Sequence, residues 1–248
     1  MNYYYLTDTG KMRDHNEDNV IIVKNSSGEV LMAVADGMGG HLCGEVASSI
    51  AIKHIAERFK KISSIGNKTD AENWIQMAVS EINALIYKYT EEHPESMGMG
   101  TTFVCAIVTN EFLLYGNIGD SSGFAIKGDK IQKITNDHTL VNLLVKSGEL
   151  TEEEAVNHPK KNVLLKALGA TKAVDMDIFD VETDVDGVLL CSDGMTNMLD
   201  KEQIISVLRE KTSIEERLQK LIYKCNNRGG TDNISVAYLE KGVEKNDN

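Results

Sequence analysis

The chain has 248 residues, 42% of them hydrophobic, and carries a net charge of −12 at pH 7. This acidic balance disfavours nucleic-acid and anionic-membrane partners, because both attract proteins that have an excess of basic side chains. The first residues do not resemble a secretion signal, and no apolar run reaches the ~18 residues of a membrane span. The four cysteines lack CxxC spacing and fit a reducing compartment. We therefore expect a cytoplasmic protein with one domain.

The N-terminal part carries strand signals followed by helix signals. Strands are predicted at Tyr3–Thr7, Asn19–Val23 and Val30–Ala35, the last two separated by a polar turn. Apolar residues three to four positions apart then predict one helix from about Val46 to Phe59 and another from about Ala71 to Tyr89. Thr69 and Glu72 have the spacing of a capping box at the start of the second helix.

The strand period returns after the second helix. Two hairpins are predicted from the strands Thr101–Val108, Phe112–Ile118, Phe124–Ile126 and Ile131–Ile134. Short helices are expected at His138–Lys146 and Glu152–Val156, the latter opened by the box Thr151/Glu154, and a strand at Val188–Cys191. Two helices, Lys201–Glu210 and Ile214–Cys225 (box Ser213/Glu216), and a strand, Ile234–Leu239, precede the polar tail Lys241–Asn248, which we expect to be disordered.

The order of these elements indicates the fold class. Strands come in hairpin-linked groups and helices in pairs, rather than in strand–helix–strand alternation. This arrangement disfavours a doubly wound parallel sheet. We predict an α+β fold in which packed antiparallel sheets carry helix pairs on the outside.

Four aspartates stand where hydrophobic strands end or begin. Asp36, Asp120 and Asp193 each adjoin a glycine after an apolar run, and Asp232 precedes the last strand. A single Asp-Gly pair is usually only a turn, but four such carboxylates can converge at one edge if the strands share a core. They would repel one another and be driven towards protonation unless cations were present. Carboxylate oxygens favour Mg²⁺ or Mn²⁺ over zinc.

A second charged cluster runs from Arg13 to Asp18, just before a strand. Such a run is usually a solvated surface. If this run is part of a functional site, the planar guanidinium of Arg13 can donate two hydrogen bonds to a phosphate or a carboxylate. Glu17 and Asp18 would then orient water around a cation.

Seven short motifs occur in an order that resembles the metal-dependent (PPM, or type 2C) protein phosphatases, in particular their bacterial branch. They are Arg13-x-x-Asn16-Glu17-Asp18, Val34-Ala35-Asp36-Gly37-Met38-Gly39-Gly40, Gly100-Thr101-Thr102, Gly119-Asp120-Ser121, Asp137-His138, Ser192-Asp193-Gly194 and Thr231-Asp232-Asn233. The resemblance extends from about Leu6 to Leu239. It implies one phosphatase domain over residues 1–240, built as a central antiparallel β-sandwich flanked by helix pairs, with a flap at about residues 141–168.

The resemblance also implies which residues hold metal ions. Asp36 would bridge two ions, with the Gly37 carbonyl on one of them, and Asp193 and Asp232 would hold the other. Asp120, together with Asp193, matches the position of a weaker third ion.

Four further residues have roles that the resemblance implies. Glu17 and Asp18 match contacts to metal-bound water. Asn233, in the last motif, would contact the metal-binding residues rather than the metal itself. Arg13 matches the phosphate-binding arginine.

The function that the resemblance implies is hydrolysis of phosphoserine and phosphothreonine in proteins by a water or hydroxide that bridges two Mn²⁺ or Mg²⁺ ions. Such an enzyme opposes a bacterial Ser/Thr kinase, which we expect among its phosphoprotein substrates, and we expect it to be a monomer. Met38 stands where animal members carry a histidine proposed as general acid, which leaves the general acid open. Ser122 replaces an arginine that is common in bacterial members, so the surroundings of Asp120 differ.

Two alternative functions share much of this pattern. A phosphatase of small phosphorylated metabolites would use the same metal chemistry with a different outer groove. A catalytically inactive member of the family would act as a regulatory binding module, but loss of Asp36, Asp193 or Asp232 would mark such a protein, and all three are present.

Overall fold

The computed structural model describes residues 1–39 and 43–241. The strands are β1 (Asn2–Asp8), β2 (Asp18–Lys24), β3 (Val30–Met38), β4 (Gly100–Thr101), β5 (Phe103–Val108), β6 (Leu113–Ile118), β7 (Ser122–Lys127), β8 (Lys130–Lys133), β9 (Asp177–Val181), β10 (Gly187–Cys191) and β11 (Ile234–Glu240). The helices are α1 (Cys43–Lys61), α2 (Lys68–Glu92), α3 (Leu140–Ser147), α4 (Glu152–Val156), α5 (Asp193–Thr196), α6 (Lys201–Leu208) and α7 (Ile214–Asn227).

The strands of the described residues form two antiparallel sheets. One sheet has the order β1-β11-β10-β7-β8, and the other has the order β2-β3-β5-β6-β9, with β4 paired to β3. Between them lies an apolar layer that includes Val34, Val104, Tyr115 and Leu190. The two sheets therefore pack face to face as a sandwich.

Helices cover the outer face of each sheet, because the side chains on that face are also apolar. Phe103, whose neighbour Val104 points into the sandwich, packs outward in a cluster with Phe59 of α1 and Ile82 of α2. Leu189 of β10 packs in the same way with α6 and α7. The predicted α+β fold, a central antiparallel sandwich flanked by helix pairs, is confirmed.

The start of α2 and two strands differ from the sequence prediction. The capping box of α2 is formed by Asn67 and Asp70 rather than by Thr69 and Glu72, because the chain is still extended at Asn67, whose side chain accepts from the Asp70 amide. The strand β9 was missed because it is a partly exposed edge strand in which acidic residues interrupt the apolar pattern. The two-residue strand β4 is too short to produce a pattern. The capping boxes of α4 and α7 are confirmed.

The predicted flap, residues 141–168, is lightly packed except at its end, where Ala167 and Leu168 are buried. Neither α3 nor α4 has a buried residue. Two isolated pairings, of Thr139 with Leu164 and of Thr101 with Leu168, hold the base of this segment. The flap is thus attached at its ends, and its helices contribute nothing to the buried core.

The predictions for the tail and the cysteines have different outcomes. The tail lies outside the described residues apart from Lys241, so its disorder stays a prediction. No disulfide joins the four cysteines, all of which lie in the described part of the chain and are buried, including Cys43. Among residues 1–39 and 43–241, none of the helices has the length and hydropathy that crossing a membrane requires.

Candidate active site

Asp18 and Asp36 face each other across strands β2 and β3. The antiparallel register pairs these two residues directly, which brings their side chains to the same face of the sheet. Burial raises the pKa of Asp18 to about 7, even though the Ser192 hydroxyl donates to Asp18 Oδ2 over 2.7 Å and favours the charged form.

Asp193 and Asp232 come from the other sheet. Asp193 is the first residue of α5 and is separated from the end of β10 by Ser192, and Asp232 lies just before β11. Because β10 and β11 are neighbours, both carboxylates stand at the same end of that sheet. Burial, followed by the charge of Asp232, raises the pKa of Asp193.

The carboxylates of the two sheets meet at Asp36. Its pKa is raised well above the usual range, first by burial and then by the nearby charges of Asp18, Asp193, Asp120 and Asp232. The four strand-end aspartates picked out from the sequence are thus close neighbours in the fold, and Asp18 joins them.

Close backbone packing at two glycines allows this convergence. A Cβ atom at Gly37 would lie 2.2 Å from the carbonyl oxygen of Gly44 in α1, and one at Gly194 would lie 2.0 Å from that of Asn233. These distances are far below any tolerated contact, so no residue with a side chain fits at either position without a backbone shift. The glycines that follow Asp36 and Asp193 therefore let the neighbouring backbone segments approach these two aspartates closely.

Asn233 holds the N-terminal loop against the site. Its Oδ1 accepts from the backbone amide of Glu17 over 2.8 Å, and its Nδ2 donates to the carbonyls of Thr9 and His15 over 2.8 and 2.9 Å. The loop that presents Arg13 and Glu17 is fixed in this way. Burial raises the pKa of Glu17.

Arg13 is the arginine of the charged run from Arg13 to Asp18. Its Nη2 donates to Asp232 Oδ2 over 2.9 Å, and its Nε donates to the Thr231 carbonyl over 3.4 Å. The side chain remains 52% exposed. The guanidinium therefore lies at the mouth of the site beside Asp232, and not in a surface pair with Asp14 or Glu17.

Asp120 stands in the turn between β6 and β7, and a histidine braces this turn. Burial raises the pKa of Asp120 to about 7. The amide of the preceding Gly119 donates to His138 Nδ1 over 3.0 Å, so Nδ1 carries no proton there. His138 Nε2 lies 3.0 Å from Asp177 Oδ2, and Lys166, at the end of the flap, donates to the other oxygen of Asp177 over 3.0 Å. This chain of contacts links the Asp120 turn to the flap.

An acidic cleft of about 260 Å³ lies where Asp36, Asp120, Asp193 and Asp232 converge. Its lining is Arg13, Glu17, Asp36, Gly37, Met38, Gly39, Thr102, Asp120, Asn162, Leu164, Asp193, Asp232 and Asn233. Sequence reasoning missed Asn162 and Leu164, which reach the cleft from the flap, because both lie in an irregular loop without motif or periodicity. Gly40, the last residue of the glycine motif, lies outside the described residues.

The chemistry of this donor set fits divalent cations. Asp18 Oδ1 and Asp193 Oδ1 are buried and have no hydrogen-bond partner, which is rare for carboxylate oxygens inside a protein. In the described residues, no group of three or more His, Cys, Asp or Glu side chains is arranged to hold a metal ion as it stands. Asp232 accepts a hydrogen bond from Arg13, and Asp193 accepts one from Asn197. Both aspartate side chains would have to turn away from these donors to bind a cation. Buried, mutually repelling carboxylates with unpartnered oxygens are the ligands that Mg²⁺ and Mn²⁺ prefer.

Comparison of the sequence with known proteins identifies the family to which the chain belongs. The profile of the family described as "Protein phosphatase 2C" matches residues 11–225. The chain belongs to this family. It is 38% identical over 244 residues to the serine/threonine phosphatase stp of Listeria innocua, covering 98% of this chain and 97% of the relative. It is 34% identical to the protein phosphatase PhpP of Streptococcus pneumoniae, covering 96% and 97%. The family resemblance and the phosphatase class predicted from the seven motifs are confirmed.

Solved structures show the same fold. A crystal structure of a bacterial serine phosphatase superposes with a TM-score of 0.91 at 36% identity and covers 98% of this chain and 100% of its own. The catalytic domain of the serine/threonine protein phosphatase PstP, in complex with two manganese ions, superposes with a TM-score of 0.82 at 30% identity, covering 96% and 97%. Metal-dependent catalysis is therefore supported for a chain with this fold.

Proposed function

We propose that this chain is a metal-dependent protein phosphatase that hydrolyses phosphoserine and phosphothreonine in proteins. The observation that carries the proposal is the convergence of buried carboxylates from both sheets on Asp36, with unpartnered oxygens on Asp18 and Asp193. A site with this excess of negative charge cannot attract a phosphate dianion without cations.

The proposed ligands come from both sheets. Asp36 and the Gly37 carbonyl, Asp193 and Asp232 would hold two Mn²⁺ or Mg²⁺ ions, and Asp120 with Asp193 would hold a weaker third. When bound, such ions acidify water and offset the charge of the phosphoryl group during its displacement.

The remaining groups position the ligands and the substrate. Asp18 faces Asp36 and is oriented by the Ser192 hydroxyl, and Glu17 would hold water at the site. Asn233 fixes the loop that carries Arg13. Arg13 would move its fork from Asp232 to two phosphate oxygens, for which a guanidinium is suited.

We propose a single domain over residues 1–240, with the flap at about residues 141–168, that acts as a monomer in the cytoplasm. The relatives match nearly the full length of the chain, and buried cysteines without disulfides are usual in a reducing compartment. The substrates would include a Ser/Thr kinase that the phosphatase opposes.

The test is phosphate release by the purified chain from phosphoserine and phosphothreonine peptides, with nucleotides and sugar phosphates as competitors. We expect release from the peptides in Mn²⁺ or Mg²⁺, none in excess chelator, and no loss after alkylation of the thiols. Asp36→Asn should abolish release, whereas the matched variant Asp129→Asn, at a fully exposed side chain, should not. Preference for nucleotides or sugar phosphates would favour a metabolite phosphatase, and absence of all turnover would favour an inactive binding module.

A further inference from the structure

A second cleft, which we call the flap cleft, adjoins the acidic cleft. It has a volume of about 470 Å³. Asp120, Asn162 and Asp193 line both clefts, so the two are continuous. A polypeptide whose phosphorylated residue enters the acidic cleft therefore has this larger space beside it.

Four aliphatic side chains line part of the flap cleft. Val141 and Val145 come from α3, and Ala155 and Val156 come from α4. None of these side chains is buried, and Val156 is 64% exposed. Aliphatic side chains that converge on a cleft and remain accessible to water are typical of a binding site, because covering them releases their hydration.

The sequence of α3 supports the same conclusion. The helix reads LVNLLVKS, so most of its residues are aliphatic, but no residue of α3 is buried in the described fold. A helix with this composition normally packs its apolar side against a partner. The apolar side of α3 is therefore available for a ligand.

We propose that the flap cleft binds an aliphatic side chain of the phosphoprotein substrate, close in sequence to the phosphorylated residue. This inference rests on the proposed function and defines a substrate class for it. The flap cleft is also lined by one lysine, Lys161, and by four carboxylates, those of Asp120, Asp137, Glu152 and Asp193. The acidic excess disfavours an acidic substrate residue at the same position by charge repulsion.

The experiment uses phosphothreonine peptides in which a leucine, a serine or a glutamate is placed in turn at each position on either side of the phosphothreonine. p-Nitrophenyl phosphate, which has no neighbouring residue, is the reference substrate. At one or two positions, we expect the leucine peptide to have the highest kcat/KM and the glutamate peptide the lowest.

The double variant Val141→Ser/Val145→Ser tests whether the flap cleft binds the leucine side chain of the peptide. It should lower kcat/KM for the leucine peptide about tenfold or more, mainly through KM, because loss of an apolar contact has effects of this size. Its activity on p-nitrophenyl phosphate should not change. Val163→Ser is the matched control, since Val163 lies in the same flap, is 43% exposed and lines neither cleft.

Several results would overturn the inference. Equal kcat/KM for the leucine, serine and glutamate peptides at every position would show that the cleft binds no side chain. An equal loss on p-nitrophenyl phosphate, or the same loss in Val163→Ser, would show that the valines only maintain the flap. A lower molecular mass of the double variant in light scattering would show that a second copy of the chain covers the cleft. Absence of metal-dependent release from every peptide would instead refute the proposed function.

Discussion

The carboxylate cluster and the flap differ in how the fold holds them. Asp18, Asp36 and Asp193 are fixed by strand register, by buried hydrogen bonds and by glycines that admit no side chain. The flap is attached at its base, and its helices bury no residue. This difference suggests a division of roles, in which the rigid sheet ends carry the chemistry and the lightly packed flap selects the substrate.

The largest effect should separate two members of the cluster. Asp193→Asn should abolish turnover, because Asp193 is proposed as a ligand of one of the two main ions, whereas Asp120→Ala should lower kcat without preventing those ions from binding. Steady-state kinetics with calorimetric Mn²⁺ titration checks this order. Failure of Asp120→Ala to bind any Mn²⁺ would contradict it.

A pair of leucine substitutions tests the contrast in packing. Leu190 is fully buried between the sheets, and Leu143 on α3 is 53% exposed. Leu190→Ala should lower the free energy of unfolding by about 2–5 kcal/mol. Leu143→Ala should change it by less than about 0.5 kcal/mol. Urea unfolding measures both, and a large loss in Leu143→Ala would mean that the flap is part of the core.

Arg13 lies at the rigid side of the acidic cleft, and its replacement should affect substrate binding. Arg13→Ala should raise KM for a phosphothreonine peptide about tenfold, since it removes a charged hydrogen-bonding fork, and kcat should be nearly kept. Stability should change by less than about 1 kcal/mol, because the pair with Asp232 is solvent-exposed. Unchanged KM and kcat would exclude a phosphate-binding role.

The last effect concerns pH in the metal-free protein. The pKa values of Asp18 and Asp120 are raised to about 7 in the fold, so the folded state binds protons that the unfolded chain releases near pH 4. Stability is then favoured by protonation and is lost as pH rises through about 7. In chelator, the melting temperature should fall between pH 5.5 and pH 8.

Asp18→Asn should flatten this pH dependence, because the amide cannot ionise, whereas Asp129→Asn should not. A melting temperature that rises with pH in chelator would contradict the electrostatic account of the cluster.

The sequence predicts the sandwich well because its central strands β5, β6 and β10 are buried on both faces and leave clear apolar runs. It fails at β9, an edge strand with acidic residues, and at the cap of α2, where the choice between Asn67 and Thr69 depends on the path of the preceding loop. Asp36, Asp193 and Asp232 stand out because each interrupts an apolar run or precedes one. Asn162 and Asp177, the partner of His138, reach their places through tertiary contacts that no local pattern encodes.

Calorimetric titration of the chelator-treated chain with Mn²⁺ at pH 7.5 tests most directly whether the convergent carboxylates form a divalent-cation site. The parent and the control variant Asp129→Asn should each bind at least two Mn²⁺ ions, and the affinities of the two proteins should be the same. Both proteins should melt at a higher temperature with Mn²⁺ than without it. Asp36→Asn should lose this binding while keeping the fold, because Asp36 is the residue proposed to bridge the two ions. Undiminished Mn²⁺ binding by folded Asp36→Asn, or no binding by the parent, would contradict the account.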